Sequence, residues 1–98
     1  MLIFSVVGPK KEASKTAVVE ALIKKFIKRG KKVGTIKHTH KPNFTIDTPG
    51  KDTYRHTQAG AKITACASRR ETTVIFKSET ELRLQEVINF FKDTGVII

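Results

Sequence analysis

The spacing of apolar residues in the first part of the chain predicts a strand, a helix and a second strand. Residues 2–7 form a nearly continuous apolar run that ends at Gly8, which is typical of a strand buried on both faces of a parallel sheet. Ser14 can cap a helix that ends near Gly30, and residues 33–37 are rich in β-branched side chains. The predicted helix carries apolar residues at three- and four-residue spacing, namely Val18, Val19, Leu22, Ile23, Phe26 and Ile27. Together these elements predict a βαβ unit with its ligand crevice at the carboxyl ends of the strands.

The pattern of the second part predicts a hairpin followed by a helix. Residues 62–67 and 72–77 are β-rich, and the link between them is too short for a parallel crossover, so they are expected to pair as an antiparallel hairpin. Ser78 and Glu81 match a capping box for a second long helix that ends near Asp93. The apolar stripe of that helix would consist of Leu84, Val87, Ile88 and Phe91.

A final apolar strand is predicted at residues 96–98, after Gly95. Such a strand invites association when it is left as an exposed edge, so it is expected to lie between other strands or under a second copy of the chain. The fold class expected is therefore α/β, with a mostly parallel sheet and an antiparallel hairpin. With 98 residues, the chain is expected to form one small domain.

Between the second strand and the next predicted helix lies a long polar loop. Pro42, Pro49 and Gly50 disfavour regular structure there, and Asp52 or Thr53 can cap a helix that runs to about residue 60. Long loops in compact domains are usually functional or disordered. The charged and histidine side chains of this loop favour a functional site, and parallel strands would bring it to the same sheet edge as the loop after Gly8.

Charge is distributed unevenly along the chain. The formal net charge is +10, and residues 1–41 hold eleven Lys or Arg against two Glu. This asymmetry predicts an anionic partner, and the alternative is a solvated lysine-rich helix face. No run is long enough to span a bilayer, so a soluble, cytoplasmic protein is expected. The single cysteine, Cys66, lies in an apolar run and is expected to be buried.

The loop after the first strand, G-P-K-K-E-A-S-K-T, partly matches the phosphate-binding pattern G-x-x-x-x-G-K-[ST]. Lys15 and Thr16 stand where the pattern has its phosphate-binding lysine and its Mg²⁺-binding hydroxyl. Ser14 replaces the second glycine, Pro9 falls at the first, and Gly8 comes one residue early. Proline has no N–H and serine disfavours positive φ, so either weak phosphate binding or its loss is compatible with the sequence.

The segments G-T-I-K-H-T-H and I-D-T-P-G-K-D-T-Y-R-H-T-Q-A-G-A, within residues 33–61, resemble the signature of the MobB family of molybdopterin-guanine dinucleotide biosynthesis adapter proteins. The resemblance implies a P-loop-type three-layer sandwich of which this chain holds the N-terminal half. It also implies GTP as a ligand, Mg²⁺ as its companion ion, and the molybdopterin guanylyltransferase (MobA) as a partner.

The resemblance and the phosphate-binding pattern together predict the site residues. The nucleotide-binding residues expected are Gly8, Ser14, Lys15, Thr16, Lys37, His38, His40, Lys51 and Arg55. Mg²⁺ would be held by Thr16 and Asp47. The alternatives are that Asp47, Lys51, Asp52 and Arg55 form a salt-linked loop, and that His38, His40 and His56 are hydrogen-bonded loop residues rather than zinc ligands.

These observations favour a GTP-binding adapter in molybdenum cofactor biosynthesis that forms a homodimer. No nucleophile, carboxylate pair or strand-terminal acid stands out, so the chain is expected to be at most a weak GTPase. The alternatives are a binding or assembly module with a decayed P-loop and a basic nucleic-acid-binding domain. The nucleic-acid alternative is disfavoured because the aromatic residues of the basic part, Phe4 and Phe26, occupy predicted core positions.

Overall fold

The computed structural model describes residues 1–8, 12–41 and 43–98, excluding the side chains of residues 12 and 13. The described chain forms two compact units, one of Met1–His38 with Leu84–Ile98 and one of Thr39–Arg83, and each is described separately below. Its elements in order are β1 (Leu2–Ile3), α1 (Glu12–Lys28), β2 (Val33–Gly34), α2 (Asp52–Gln58), β3 (Ile63–Ala67), β4 (Thr72–Phe76), α3 (Leu84–Ile88) and β5 (Val96–Ile97).

The first unit contains a parallel three-stranded sheet in the order β1-β5-β2. Val96 of β5 is in register with Leu2 on one side and with Val33 on the other. This arrangement confirms that the first two strands are near neighbours and that the last strand lies between other strands. Both outer strands are shorter than predicted, because regular pairing covers only two residues of each.

The core of the first unit lies on β5. Val96 and Ile97 expose 0% and 1% of their surface. Phe26 forms a buried cluster with Val96 and Ile98, and its ring centroid lies 5.2 Å from that of Phe4. Partly buried apolar residues surround this cluster, namely Val6, Val19, Leu22, Ile23 and Val33. Of the apolar stripe predicted for α1, four residues face the core, whereas Val18 and Ile27 are 49% and 57% exposed.

Full burial of the first strand was a wrong prediction. Leu2 and Ile3 are 53% and 55% exposed, and Val7 is 85% exposed. β1 has a partner strand on one side only, and the described apolar residues concentrate around β5. The strand that is buried on both faces is therefore β5 and not β1.

Helix α1 ends where the sequence predicted but begins earlier. Gly30 has a φ of +76°, its N–H donates to Ile27 O at 3.0 Å, and Lys31 N donates to Phe26 O at 3.0 Å, which is the Schellman arrangement of a helix end. At the other end the helix already includes Glu12, so Ser14 lies inside it. Ser14 as the capping residue was therefore a wrong prediction.

The predicted long helix with a capping box was also wrong. Ser78 Oγ donates to Thr80 O at 2.6 Å, and α3 begins at Leu84 and spans five residues. Its C-terminal turn continues through short-range bonds, such as Phe91 N to Ile88 O at 2.9 Å, and Asp93 then adopts a φ of +56°. The chain has to turn there in order to enter β5.

In the second unit, β3 and β4 form the predicted antiparallel hairpin. Ile63 is in register with Phe76, and the pairing extends by a bond from Lys77 N to Lys62 O at 2.8 Å. Thr64 is buried, whereas Cys66, which alternation places on the same face, is exposed. The prediction of a buried cysteine was wrong, because packing on this face covers Thr64 and does not extend to Cys66.

Helix α2 follows the long loop, whose described part contains no helix or strand. Lys51 is its N-cap and makes no side-chain capping hydrogen bond, so the predicted caps Asp52 and Thr53 were wrong. The helix ends in a second Schellman arrangement at Gly60, which has a φ of +116°. No helix in the described part of the chain is long and apolar enough to cross a membrane.

Candidate functional site

The chain after β1 returns alongside the first turn of α1. A Cβ atom added at Gly8 would lie 3.8 Å from Lys15 Cγ, so the Lys15 stem packs against the Gly8 backbone. Lys15 is partly buried, although its neighbours Ser14 and Thr16 are exposed. The predicted phosphate loop therefore has its two ends in contact, while residues 9–11, including Pro9, lie outside the described residues.

The early start of α1 changes the geometry expected at Ser14. The N–H groups of the first three residues of an α-helix have no partner within the helix, and here they belong to residues 12–14. Because Ser14 is helical, it does not need the positive φ that a glycine would supply in a phosphate nest. The Ser14 N–H points along the helix axis, which is the arrangement that favours anions.

Lys37 and His38 leave β2 at the carboxyl edge of the same sheet. Ile36 N donates to Ile98 O at 3.0 Å, which holds this segment beside the end of β5. Both side chains are exposed. Since the strands are parallel, the topology brings these two residues to the edge that also carries Gly8.

In the second unit, Asp47 fastens the long loop to α2. Its Oδ1 accepts hydrogen bonds from Thr48 N at 2.9 Å and from Thr53 Oγ1 at 3.1 Å. Thr57 Oγ1 donates to Thr53 O at 3.2 Å and lies 3.1 Å from Thr64 Oγ1, so the connection continues into β3. This threonine network runs through the middle of the second unit.

The network was not predicted from the sequence. A signal was available in the four-residue spacing of Thr53 and Thr57, which puts both on one face of α2. The partners found for Asp47 among the described residues are neutral donors rather than Lys51 or Arg55.

The predicted cations of the second unit lie at the start of α2. Lys51 is the N-cap, Arg55 N donates to Lys51 O at 3.0 Å, and both side chains are exposed. His40 is also exposed, and it belongs to this unit while Lys37 and His38 belong to the first.

The described residues include no group of three or more His, Cys, Asp or Glu placed to hold a metal. One atom nevertheless has unused bonding capacity. Asp47 Oδ2 is buried and has no hydrogen-bond partner among the described residues. A carboxylate oxygen of this kind has the hard donor chemistry that suits Mg²⁺ or a water bound to it.

Replacing Asp47 with Ala is expected to loosen the second unit. The change removes the acceptor for Thr48 N and Thr53 Oγ1, and a lost hydrogen bond of a buried group costs about 1–3 kcal/mol in the free energy of unfolding. Urea denaturation would measure this cost. Asp47→Asn keeps the Oδ1 acceptor and should retain most of the stability, and Asp52→Ala, at an exposed position, is the control. Equal losses in Asp47→Ala and Asp47→Asn would show that the carboxylate charge, rather than the two hydrogen bonds, holds the loop.

The described geometry defines an α/β protein with a strand–loop–helix turn, closed between a glycine and a lysine, at the carboxyl edge of a parallel sheet. The family model described as Molybdopterin guanine dinucleotide synthesis protein B (MobB) matches residues 3–98, and the chain belongs to this family.

Two relatives agree with this assignment. A protein of Methanocaldococcus jannaschii, provisionally named a molybdopterin-guanine dinucleotide biosynthesis adapter protein, is 34% identical over 96 residues, which are 98% of this chain and 38% of that protein. The Escherichia coli protein named molybdopterin-guanine dinucleotide biosynthesis adapter protein is 40% identical over 73 residues, which are 72% of this chain and 41% of that protein. The chain thus spans about two fifths of the length of each relative.

Proposed function

We propose that this chain is the nucleotide-binding part of an adapter in molybdopterin guanine dinucleotide biosynthesis, and that its ligand is GTP. The observation that carries the proposal is the contact between Gly8 and the stem of Lys15 at the start of α1. This contact places a cation and free helix N–H groups at the edge where α/β proteins bind ligands. The family match and the names of both relatives support the biosynthetic role.

In this proposal the residues of the first unit bind the phosphates. The N–H group of Ser14 and the ammonium of Lys15 meet the phosphate oxygens, and Gly8 lies beside the lysine stem. Lys37 and His38 add contacts from the end of β2. His40, Lys51 and Arg55 of the second unit are proposed as further phosphate contacts on the basis of the family resemblance.

Mg²⁺ is proposed as the companion of the nucleotide, with Thr16 and Asp47 as its protein ligands. The unpartnered Asp47 Oδ2 and the exposed Thr16 are both oxygen donors of the type that Mg²⁺ prefers. When bound, the ion would neutralise phosphate charge. The protein residues orient the ion and the phosphates, which is a binding role, and hydrolysis is at most weak in this proposal.

The finer architecture proposed is the P-loop-type three-layer sandwich of the family, of which this chain supplies the N-terminal half. The partner proposed is the molybdopterin guanylyltransferase, and the compartment proposed is the cytoplasm. The alternative function is an assembly module without nucleotide. It is favoured by the two missing glycines of the phosphate-binding pattern.

A homodimer is proposed on the basis of the hairpin. One face of β3 and β4 carries large exposed apolar side chains, with Ile63, Val74 and Phe76 exposed by 60%, 46% and 45%. A two-stranded hairpin is marginally stable alone, and a second copy of this face would cover its apolar side chains. Light scattering of the wild type and of Val74→Lys would test this proposal, with a monomeric wild type as the contradicting result.

Titration calorimetry with GTP, ATP and GMP, each with and without Mg²⁺, tests the proposed nucleotide site. We expect GTP to bind and Mg²⁺ to strengthen the binding, because the ion reduces the repulsion between the phosphates. GMP should bind more weakly, since it offers fewer phosphate oxygens to Lys15. Lack of heat with every nucleotide would favour the assembly module.

A further inference from the structure

We propose that the carboxyl end of α1 and the turn after it form a docking surface for an acidic protein. This basic end consists of six exposed residues, namely Lys24, Lys25, Lys28, Arg29, Lys31 and Lys32. The proposal rests on the proposed adapter function and deepens it, because it names the chemistry by which a protein partner would be recognised.

The basic end is the centre of an unusual stretch of sequence. Residues 21–46 contain eight Lys or Arg and no Asp or Glu. Within α1, Lys28 lies three and four residues from Lys25 and Lys24, and like charges at these spacings repel one another. The helix dipole favours cations in the last turn, by about 0.3–1 kcal/mol each, which is enough to offset this repulsion. An anionic surface would add a favourable interaction with these charges.

The proposed nucleotide site lies at the other end of α1. The helix rises about 1.5 Å per residue, so Lys15 and Lys28 are about 20 Å apart along its axis. This separation is more than twice the Debye length of about 8 Å at physiological ionic strength. A nucleotide held at Lys15 is therefore too distant to neutralise the basic end, and these charges are available to a second partner.

One acidic residue, Asp93, lies just before β5, in a segment that borders the basic end. The backbone there bonds to the basic turn, since Gly95 N donates to Lys32 O at 3.0 Å. A Cβ atom added at Gly95 would lie 3.9 Å from Lys31 Cδ. Lys92 adjoins Asp93 and offsets its charge, so the edge remains strongly positive.

The chemistry of the surface favours a protein over a nucleic acid. Ile27 is 57% exposed among the basic residues and offers an apolar contact of the kind that protein interfaces bury. The aromatic residue within the basic end, between Lys24 and Lys32, is Phe26. It is 8% exposed and packs on Phe4, so it offers no ring to a base. Five of the six cations are lysines, which lack the planar fork that binds phosphate in a bidentate manner.

A charge-matched pair of variants tests the basic end. Lys28→Gln/Lys31→Gln removes two charges from it, and Arg69→Gln/Arg70→Gln removes two exposed charges from the hairpin turn. Binding of a fluorescent poly-glutamate peptide and of a DNA duplex would be measured by anisotropy at low salt. We expect the first pair to lower the peptide affinity about threefold to tenfold, as two interface charges would. The control pair should change it by less than about twofold.

Three results would overturn the docking surface: equal losses in both pairs, tighter binding of the duplex than of the peptide, or no peptide binding by the wild type. Lys15→Ala separates this proposal from the nucleotide site, because it should weaken GTP binding roughly tenfold to a hundredfold and leave peptide binding unchanged. A wild type that binds no GTP but shows the expected peptide pattern would refute the nucleotide site and support the basic end.

Discussion

Replacing Ile97 with Ala is expected to lower the free energy of unfolding by about 2–5 kcal/mol, the range for truncation of a buried large aliphatic residue. Ile97 is 1% exposed and occupies the strand that pairs with both neighbours. A domain of this size is stabilised by about 5–15 kcal/mol, so the variant would lose a large fraction of its stability. Urea denaturation followed by circular dichroism gives the measurement.

Ile46→Ala is the matched control, since it makes the same chemical change at a position where the side chain is 77% exposed. Its cost should stay below about 1 kcal/mol, because exposed apolar groups contribute little burial. If both variants lost the same free energy of unfolding, the burial of Ile97 in the central strand β5 would not explain the loss.

Lys15→Ala is expected to weaken GTP binding by about 1.5–3 kcal/mol, the range for a charge-assisted hydrogen bond, or roughly tenfold to a hundredfold in Kd. The loop has few glycines to shape a backbone nest, so the ammonium and the helix N–H groups carry a larger share of the affinity. Isothermal titration of both proteins measures the difference.

Lys24→Ala serves as its control, because it removes the same side chain from an exposed position on the same helix. It lies about 13 Å further along the axis and should alter the affinity by less than about twofold. Comparable losses in both variants would indicate diffuse attraction of the nucleotide by net charge rather than a phosphate site.

Local chemistry explains what the sequence predicted correctly. The hairpin followed from two β-rich runs and a short link, and the end of α1 followed from Gly30, whose positive φ closes the helix. Each of these features depends on residues that are close along the chain.

The failures depend on contacts between distant residues. Leu2 and Ile3 have the pattern of a doubly buried strand, yet their position at a sheet edge leaves them exposed. Cys66 is exposed because burial on its face of the hairpin reaches only to Thr64. The partners of Asp47 were not predicted: its Oδ1 accepts from the neighbouring Thr48 N–H and from the Thr53 hydroxyl group six residues away rather than from Lys51 or Arg55.

The strand order β1-β5-β2 has a consequence for folding kinetics. Among the described residues, the first two strands do not pair with each other, and the strand partner of each is β5, near position 96. The sheet can form only when loops of more than sixty and more than ninety residues close, so its contact order is high and its formation slow. The hairpin closes over a handful of residues and should form much earlier. A refolding experiment should therefore detect strand pairing in the second unit before the burial of Phe26.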